Sequence, residues 1–117
     1  MAEYTKRREH PRLNVDISVK LRLNDGNAMV STQIRNISLG GVFIEMENPI
    51  GFGDEVGLEF SLPGAPRTIR CKGFVVWSTK TQPDRGNGRQ GIGLRLMDIG
   101  ISDMRVLAGF IDQALKG

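Results

Sequence analysis

From Val15 the chain alternates with a period of two. Val15, Ile17, Val19, Leu21 and Leu23 are apolar, and Asp16, Ser18, Lys20, Arg22 and Asn24 between them are polar. Successive side chains of a strand point to opposite faces, so this run predicts a strand with one buried and one wet face. Asp25-Gly26 follows as a hairpin turn, because glycine tolerates positive φ. A second strand is expected from Ala28 to Arg35, interrupted by Asn36-Ile37-Ser38-Leu39-Gly40-Gly41. Val42, Ile44 and Met46 alternate with Glu45 and Glu47 in a third. After a connection over 48–54, Val56, Leu58, Phe60 and Leu62 alternate with Glu55, Glu59 and Ser61. Pro63-Gly64-Ala65-Pro66 turns the chain into a fifth strand, Thr68 to Ser78, with Ile69, Cys71, Val75 and Trp77 on one parity. A polar turn from Pro83 to Arg89 precedes the last strand, which holds Ile92, Leu94 and Leu96.

The period changes only at the C-terminus. Met104, Leu107, Ala108, Ile111, Ala114 and Leu115 recur at the spacing of one helix face. Ser102 is read as the N-cap, with Asp103 in the first turn and Lys116 in the last, each favourable to the helix dipole. Six antiparallel strands in an open sheet leave exposed edges, and closure removes them. The expected fold is all-β: a six-stranded antiparallel barrel with a C-terminal amphipathic helix. An open sandwich is the alternative. The chain reads as one domain over 1–117, with a flexible Arg-rich arm at 1–12, the barrel at 13–98 and the helix at 102–116.

Composition sharpens this little. A chain of 117 residues supports one core, and 15 glycines suit many turns. The net charge of +3 is below that of a duplex-coating protein and fits a small polyanionic ligand or no charged ligand at all. No apolar run is long enough to insert in a membrane, and residues 1–10 lack the apolar segment of a secretory signal. The lone Cys71 forms no internal disulfide and supplies no zinc site, which points to the cytoplasm.

Candidate catalysts are few. His10 lies in the expected arm with no orienting partner. Cys71 sits on the apolar parity and reads as a buried thiol. Glu45 and Glu47 fall on a wet parity. Gly91-Ile92-Gly93 lies inside a strand with no helix after it, unlike a nucleotide loop. No enzyme, metal or cofactor is expected.

Two features carry more. Lys6-Arg7-Arg8-Glu9-His10-Pro11-Arg12 gathers three arginines. A guanidinium is a planar fork that grips phosphate oxygens, stacks on flat rings and pairs with the guanine edge. The cluster is either a phosphate-and-guanine grip or a solvated tail. Asn36-x-Ser38-x-Gly40-Gly41 places two hydrogen-bonding side chains two residues apart, before glycines that permit a sharp turn and close approach. This segment either meets a ligand or bonds its own backbone.

Together, Arg8-x-x-x-Arg12 and Asn36-x-Ser38-x-x-Gly41 resemble the PilZ domain family, whose signature is RxxxR followed by D/N-x-S-x-x-G. Val75-Val76-Trp77 and Gly91 to Leu96 resemble that family's closing strands. The family comprises bacterial receptors for cyclic di-GMP, built on a six-stranded antiparallel barrel with an accompanying helix. The resemblance implies that Arg8 and Arg12 grip the phosphates and guanines. It implies that Asn36 and Ser38 line a guanine, with Gly40 and Gly41 shaping the turn. An arginine just before RxxxR, here Arg7, goes with two stacked ligands per chain. The implied function is a non-enzymatic cyclic di-GMP receptor that orders its N-terminal arm and acts on a downstream protein. The alternative is an interaction module, related to pili or motility, with no nucleotide role. A barrel for single-stranded nucleic acid needs exposed aromatic platforms, and the aromatic content is only 6%.

Overall fold

The computed structural model describes residues 12–23, 28–65 and 67–116. The Asp25-Gly26 turn and the expected arm up to residue 11, with Arg7, Arg8 and His10, lie outside the described residues. Six strands appear in chain order: β1 Leu13–Arg22, β2 Met29–Ile37, β3 Gly41–Glu45, β4 Glu55–Ser61, β5 Thr68–Ser78 and β6 Gly91–Met97. One helix follows, α1 Ile101–Lys116. Neighbouring strands are all antiparallel, in the closed order β1-β2-β3-β6-β5-β4. Pairing of β1 with β4, Val19 opposite Phe60 and Leu21 opposite Leu58, closes the barrel.

The inward parity builds the core. Leu21, Ile34, Ile37, Ile44, Ile69, Val75 and Ile92 are fully buried in one cluster. Each such side chain contributes on the order of 1.5–3 kcal/mol by leaving water. Cys71 joins this cluster. Burial, and secondarily the charge of Asp103, pushes its thiol up to about 11, so it is an inert core group. Leu107 and Ile111 dock α1 onto the barrel, with Met104, Val106 and Phe110 packed beside them.

Four details depart from the sequence pattern. β2 runs two residues past Arg35, so Asn36 and Ile37 belong to the strand and the interruption is only Ser38 to Gly40. The helix starts at Ile101, where the Met104 N–H donates to the Gly100 carbonyl at 2.8 Å. Ser102 therefore lies inside the first turn and caps nothing. Ala114 and Leu115 are exposed, because the last turn runs past the barrel. Trp77 does not share the inward parity of Val75. Val75 faces Leu94 while Trp77 faces Gly93, so Val76 is an extra residue that turns the indole outward.

That outward turn creates a second apolar layer. Phe43 alternates between the core residues Val42 and Ile44, so its ring also lies outside the barrel. Phe43 and Trp77 stack with ring centres 5.3 Å apart and planes within 7°. They lie over the outer face of β6, which is glycine at 91 and 93. A Cβ on Gly93 would come within 2.1 Å of the Trp77 indole nitrogen, and one on Gly91 within 2.8 Å of the Phe43 ring. Gly93→Ala is therefore expected to cost about 1–3 kcal/mol by overpacking. The melting temperature should fall by roughly 5 °C or more. Emission from Trp77, the one tryptophan of the chain, should shift to the red. Parent-like melting and emission would contradict this packing.

Candidate functional site

The second half of the sequence motif sits at the corner between β2 and β3. Ile34 and Ile37 are both fully buried although three residues apart. A regular strand would turn one of them outward. β2 resolves this with an extra residue. Ile34 faces Ile44 and Asn36 faces Phe43, so two steps on β2 match one on β3. The bulge turns Arg35 and Asn36 both towards the outer face. Opposite β1 the register also shifts, between Asn14 and Ile17.

Arg35 spans the bulge. Its Nε donates to Glu45 Oε1 at 2.6 Å, and its Nη1 pairs with the Asp16 carboxylate. Arg89 Nη1 reaches the same Glu45 oxygen at 3.4 Å. The Arg35 hydrogen bond, backed by the charges of Arg35 and Arg89, holds the Glu45 carboxyl below its ordinary value despite some burial. The same bond raises the Arg35 guanidinium further above its usual value, so both stay charged at neutral pH.

Asn36 looks out between two unlike neighbours. Arg12 Nη1 donates to its Oδ1 at 3.0 Å. Across the ladder lie Phe43, then Gly93, then Trp77. The guanidinium carbon of Arg85 stands 4.8 Å over the indole centre, a cation–π contact. Arg95 projects from the outer face opposite Gly41. The outer face thus presents the Asn36 amide and the cations of Arg12, Arg85 and Arg95, beside two stacked rings that are themselves buried, Phe43 at 4% and Trp77 at 8% exposed. Such a face suits a ligand that combines flat bases with anionic phosphates.

Ser38 behaves differently from Asn36. It is buried, and its Oγ accepts from the N–H groups of Gly40 and Gly41, each at 3.2 Å, and donates to the Gly41 carbonyl. Its hydroxyl is engaged in its own turn. Gly40 is exposed, and its carbonyl accepts from Leu96 N–H at 3.3 Å. The need for glycine at 41 is close packing rather than a left-handed backbone. Its φ is not positive, and a Cβ there would lie 2.3 Å from the Leu94 carbonyl oxygen. Arg7 and Arg8 lie outside the described residues.

The structure adds Phe43, Trp77, Arg85 and the Arg35 bulge to the residues the pattern singled out. One signal was available for the stack: Gly91 and Gly93 share the outward parity of β6, leaving a bare strip for rings. A separate hollow of about 540 Å³ opens over β4, β1 and β2, lined by Ser18, Lys20, Ser31, Glu59 and Ser61, and holds no motif residue. Among the described residues, no group of His, Cys, Asp or Glu is placed to hold a metal ion, and no helix is long and apolar enough to cross a membrane.

A closed six-stranded antiparallel barrel with one C-terminal helix and this corner defines a class of small β-barrel domain. The family model for the PilZ domain matches residues 6–113, and the chain belongs to that family. PilZ domains are generally non-catalytic receptors or adaptors for cyclic di-GMP. Solved structures share the fold, two of them as follows. The inhibitor of motility MotI/DgrA of Bacillus subtilis has a TM-score of 0.72 at 20% identity, over 93% of this chain and 52% of that one. The chain thus spans about half the length of the motility inhibitor. The PilZ domain of CeSA from a cellulose-synthesizing bacterium has a TM-score of 0.59 at 21% identity, over 85% of this chain and 96% of that one. No curated protein matches the chain.

The packing of Gly41 gives a direct check on the corner. Gly41→Val places a side chain against backbone that no rotamer change relieves. It should lower the melting temperature by roughly 10 °C or yield insoluble protein. Gly51→Ala, with open space around its Cβ position, should melt within about 2 °C of the parent. Equal melting of the two variants would show that β3 does not press on β6 there.

Proposed function

We propose that this protein is a cyclic di-GMP receptor without catalytic activity, and that the ligand sits on the outer face around Asn36. The observation that carries this reading is the Arg12–Asn36 hydrogen bond, which joins residues 24 apart in sequence. It joins the end of the arginine motif to the first residue of the Asn-x-Ser-x-x-Gly motif. Cyclic di-GMP offers two phosphates and two guanines. Arg8 and Arg12 take the phosphates and guanine edges, and the Asn36 amide meets a guanine. The turn held by Ser38, Gly40 and Gly41 fixes where Asn36 stands. Arg7 adds a third guanidinium, enough for a stacked pair of ligands per chain. The arm carrying Arg7 and Arg8 closes over the ligand, and a protein partner reads the closed form.

The second reading, an interaction module with no nucleotide role, draws on one feature. Phe52 is 69% exposed, with its ring edge-on to Phe74 at 6.0 Å. An apolar surface of this kind also serves a receptor that passes its signal to a protein, so it does not displace the first reading.

Calorimetric titration with cyclic di-GMP, with GMP and GTP as controls, tests the proposal. Saturable binding of cyclic di-GMP at two per chain is expected, with Arg7→Leu moving the ratio towards one. Arg8→Ala and Arg12→Ala each remove a charge-assisted contact worth about 1.5–3 kcal/mol, a loss of tenfold or more in affinity. Both precede β1, so melting should stay within about 2 °C of the parent. Full-strength binding by Arg12→Ala would overturn the assignment. No binding by the parent would favour the interaction module.

A further inference from the structure

We propose that Arg35 is a positioning residue: its ion pairs to Asp16 on β1 and Glu45 on β3 hold the bulge that presents Asn36 on the outer face. This inference rests on the reading of Asn36 as a ligand residue, and deepens it. No part of either sequence motif includes Arg35, Asp16 or Glu45.

Parity makes the argument. Ile34 and Ile37 occupy the core, and only two residues separate them. Without an extra residue in β2, one of Arg35 and Asn36 must point inward or one of the isoleucines outward. The bulge satisfies both isoleucines and turns Asn36 out. It does so by breaking the β2 register against β3, and the β1 register shifts across the same point. Ladder hydrogen bonds are therefore least able to fix the backbone where the site needs it fixed.

Arg35 fills that gap. Its planar guanidinium ties three adjacent strands from one point, with Glu45 on one side and Asp16 on the other. The side chain is only 26% exposed and Glu45 36%, so that pair is partly shielded, while Asp16 at 69% is open to solvent. Two further contacts steady Glu45: Arg89 Nη1 on its carboxylate, and Thr32 Oγ1, which donates to its backbone carbonyl at 2.6 Å. Asn36 is the next residue along, and its Oδ1 must stand where Arg12 finds it. A phosphate contact made by Arg35 itself is the competing role, and it predicts the opposite response to loss of the carboxylates.

Two measurements decide. In the ligand-free protein, Arg35→Met should move the Asn36 backbone and side-chain amide signals, while Ile92 in β6 stays protected from exchange. Unchanged Asn36 signals in that variant would overturn the proposal, whatever the ligand does. In titrations with cyclic di-GMP, Arg35→Met should weaken binding about tenfold. Arg35→Lys should recover part of the loss, because an ammonium keeps charge without the fork. Glu45→Gln and Asp16→Asn should each weaken binding by roughly threefold to tenfold. They also carry the test should Arg35→Met fail to fold. Tighter binding in Glu45→Gln would show a freed arginine reaching the ligand, and would overturn the positioning role. A parent protein that binds no cyclic di-GMP defeats the proposed function, yet the ligand-free spectra still decide the role of Arg35.

Discussion

A closed barrel with strictly alternating strands has no freedom to choose which residues face out. The bulge in β2 supplies that freedom, and the candidate site depends on it. One extra residue lets Ile34 and Ile37 both enter the core and leaves Asn36 outside. The core and the site are then two consequences of a single irregularity. The hydrophobic gain of two buried isoleucines, about 1.5–3 kcal/mol each, holds the bulge from the inside. The Asp16–Arg35–Glu45 pairs hold it from the outside. Surface ion pairs add little to stability singly, so their value here is geometric.

A second bulge, in β5, does the complementary work across the barrel. It turns Trp77 out to meet Phe43 above a strip of β6 that has no side chains at 91 and 93. The rings cover β6 and lie in the same cross-strand row as Asn36. The site is thus assembled from β2, β3, β5 and β6, with Arg12 arriving from the lead-in to β1. Strands place Asn36, Phe43, Trp77 and Arg95, while Arg12 and Arg85 reach the same face from segments next to β1 and β5.

Much of this was legible from the alternation of side chains. β1 and β4 read directly, and β5 did as far as Val75, since Leu21, Leu58 and Ile69 keep the inward parity the pattern assigned them. The barrel followed because an open sheet of six such strands leaves exposed edges and closure removes them. Parity fails wherever a strand gains a residue, and both bulges hide from a period-two reading for that reason. Trp77 was therefore assigned to the core parity, and β2 was ended at Arg35. The helix start was missed because Ile101, 77% exposed, is an apolar residue in a position that capping rules give no reason to fill. At Ser38 the pattern left two roles open, a ligand contact or a bond to its own backbone, and its bonds to Gly40 and Gly41 are those of a self-contained turn.

The central claim is that ligand meets the outer face at Arg12 and Asn36, beside the buried stack of Phe43 and Trp77 over Gly93. An amide spectrum of the isotopically labelled protein, recorded as cyclic di-GMP is added, tests it residue by residue. The account predicts shifts at Asn36, Phe43 and Gly93 and at the Trp77 indole N–H, saturating together, with the hollow lined by Ser18, Ser31 and Glu59 left unmoved. Shifts confined to that hollow, or an unchanged spectrum at saturating ligand, would contradict it.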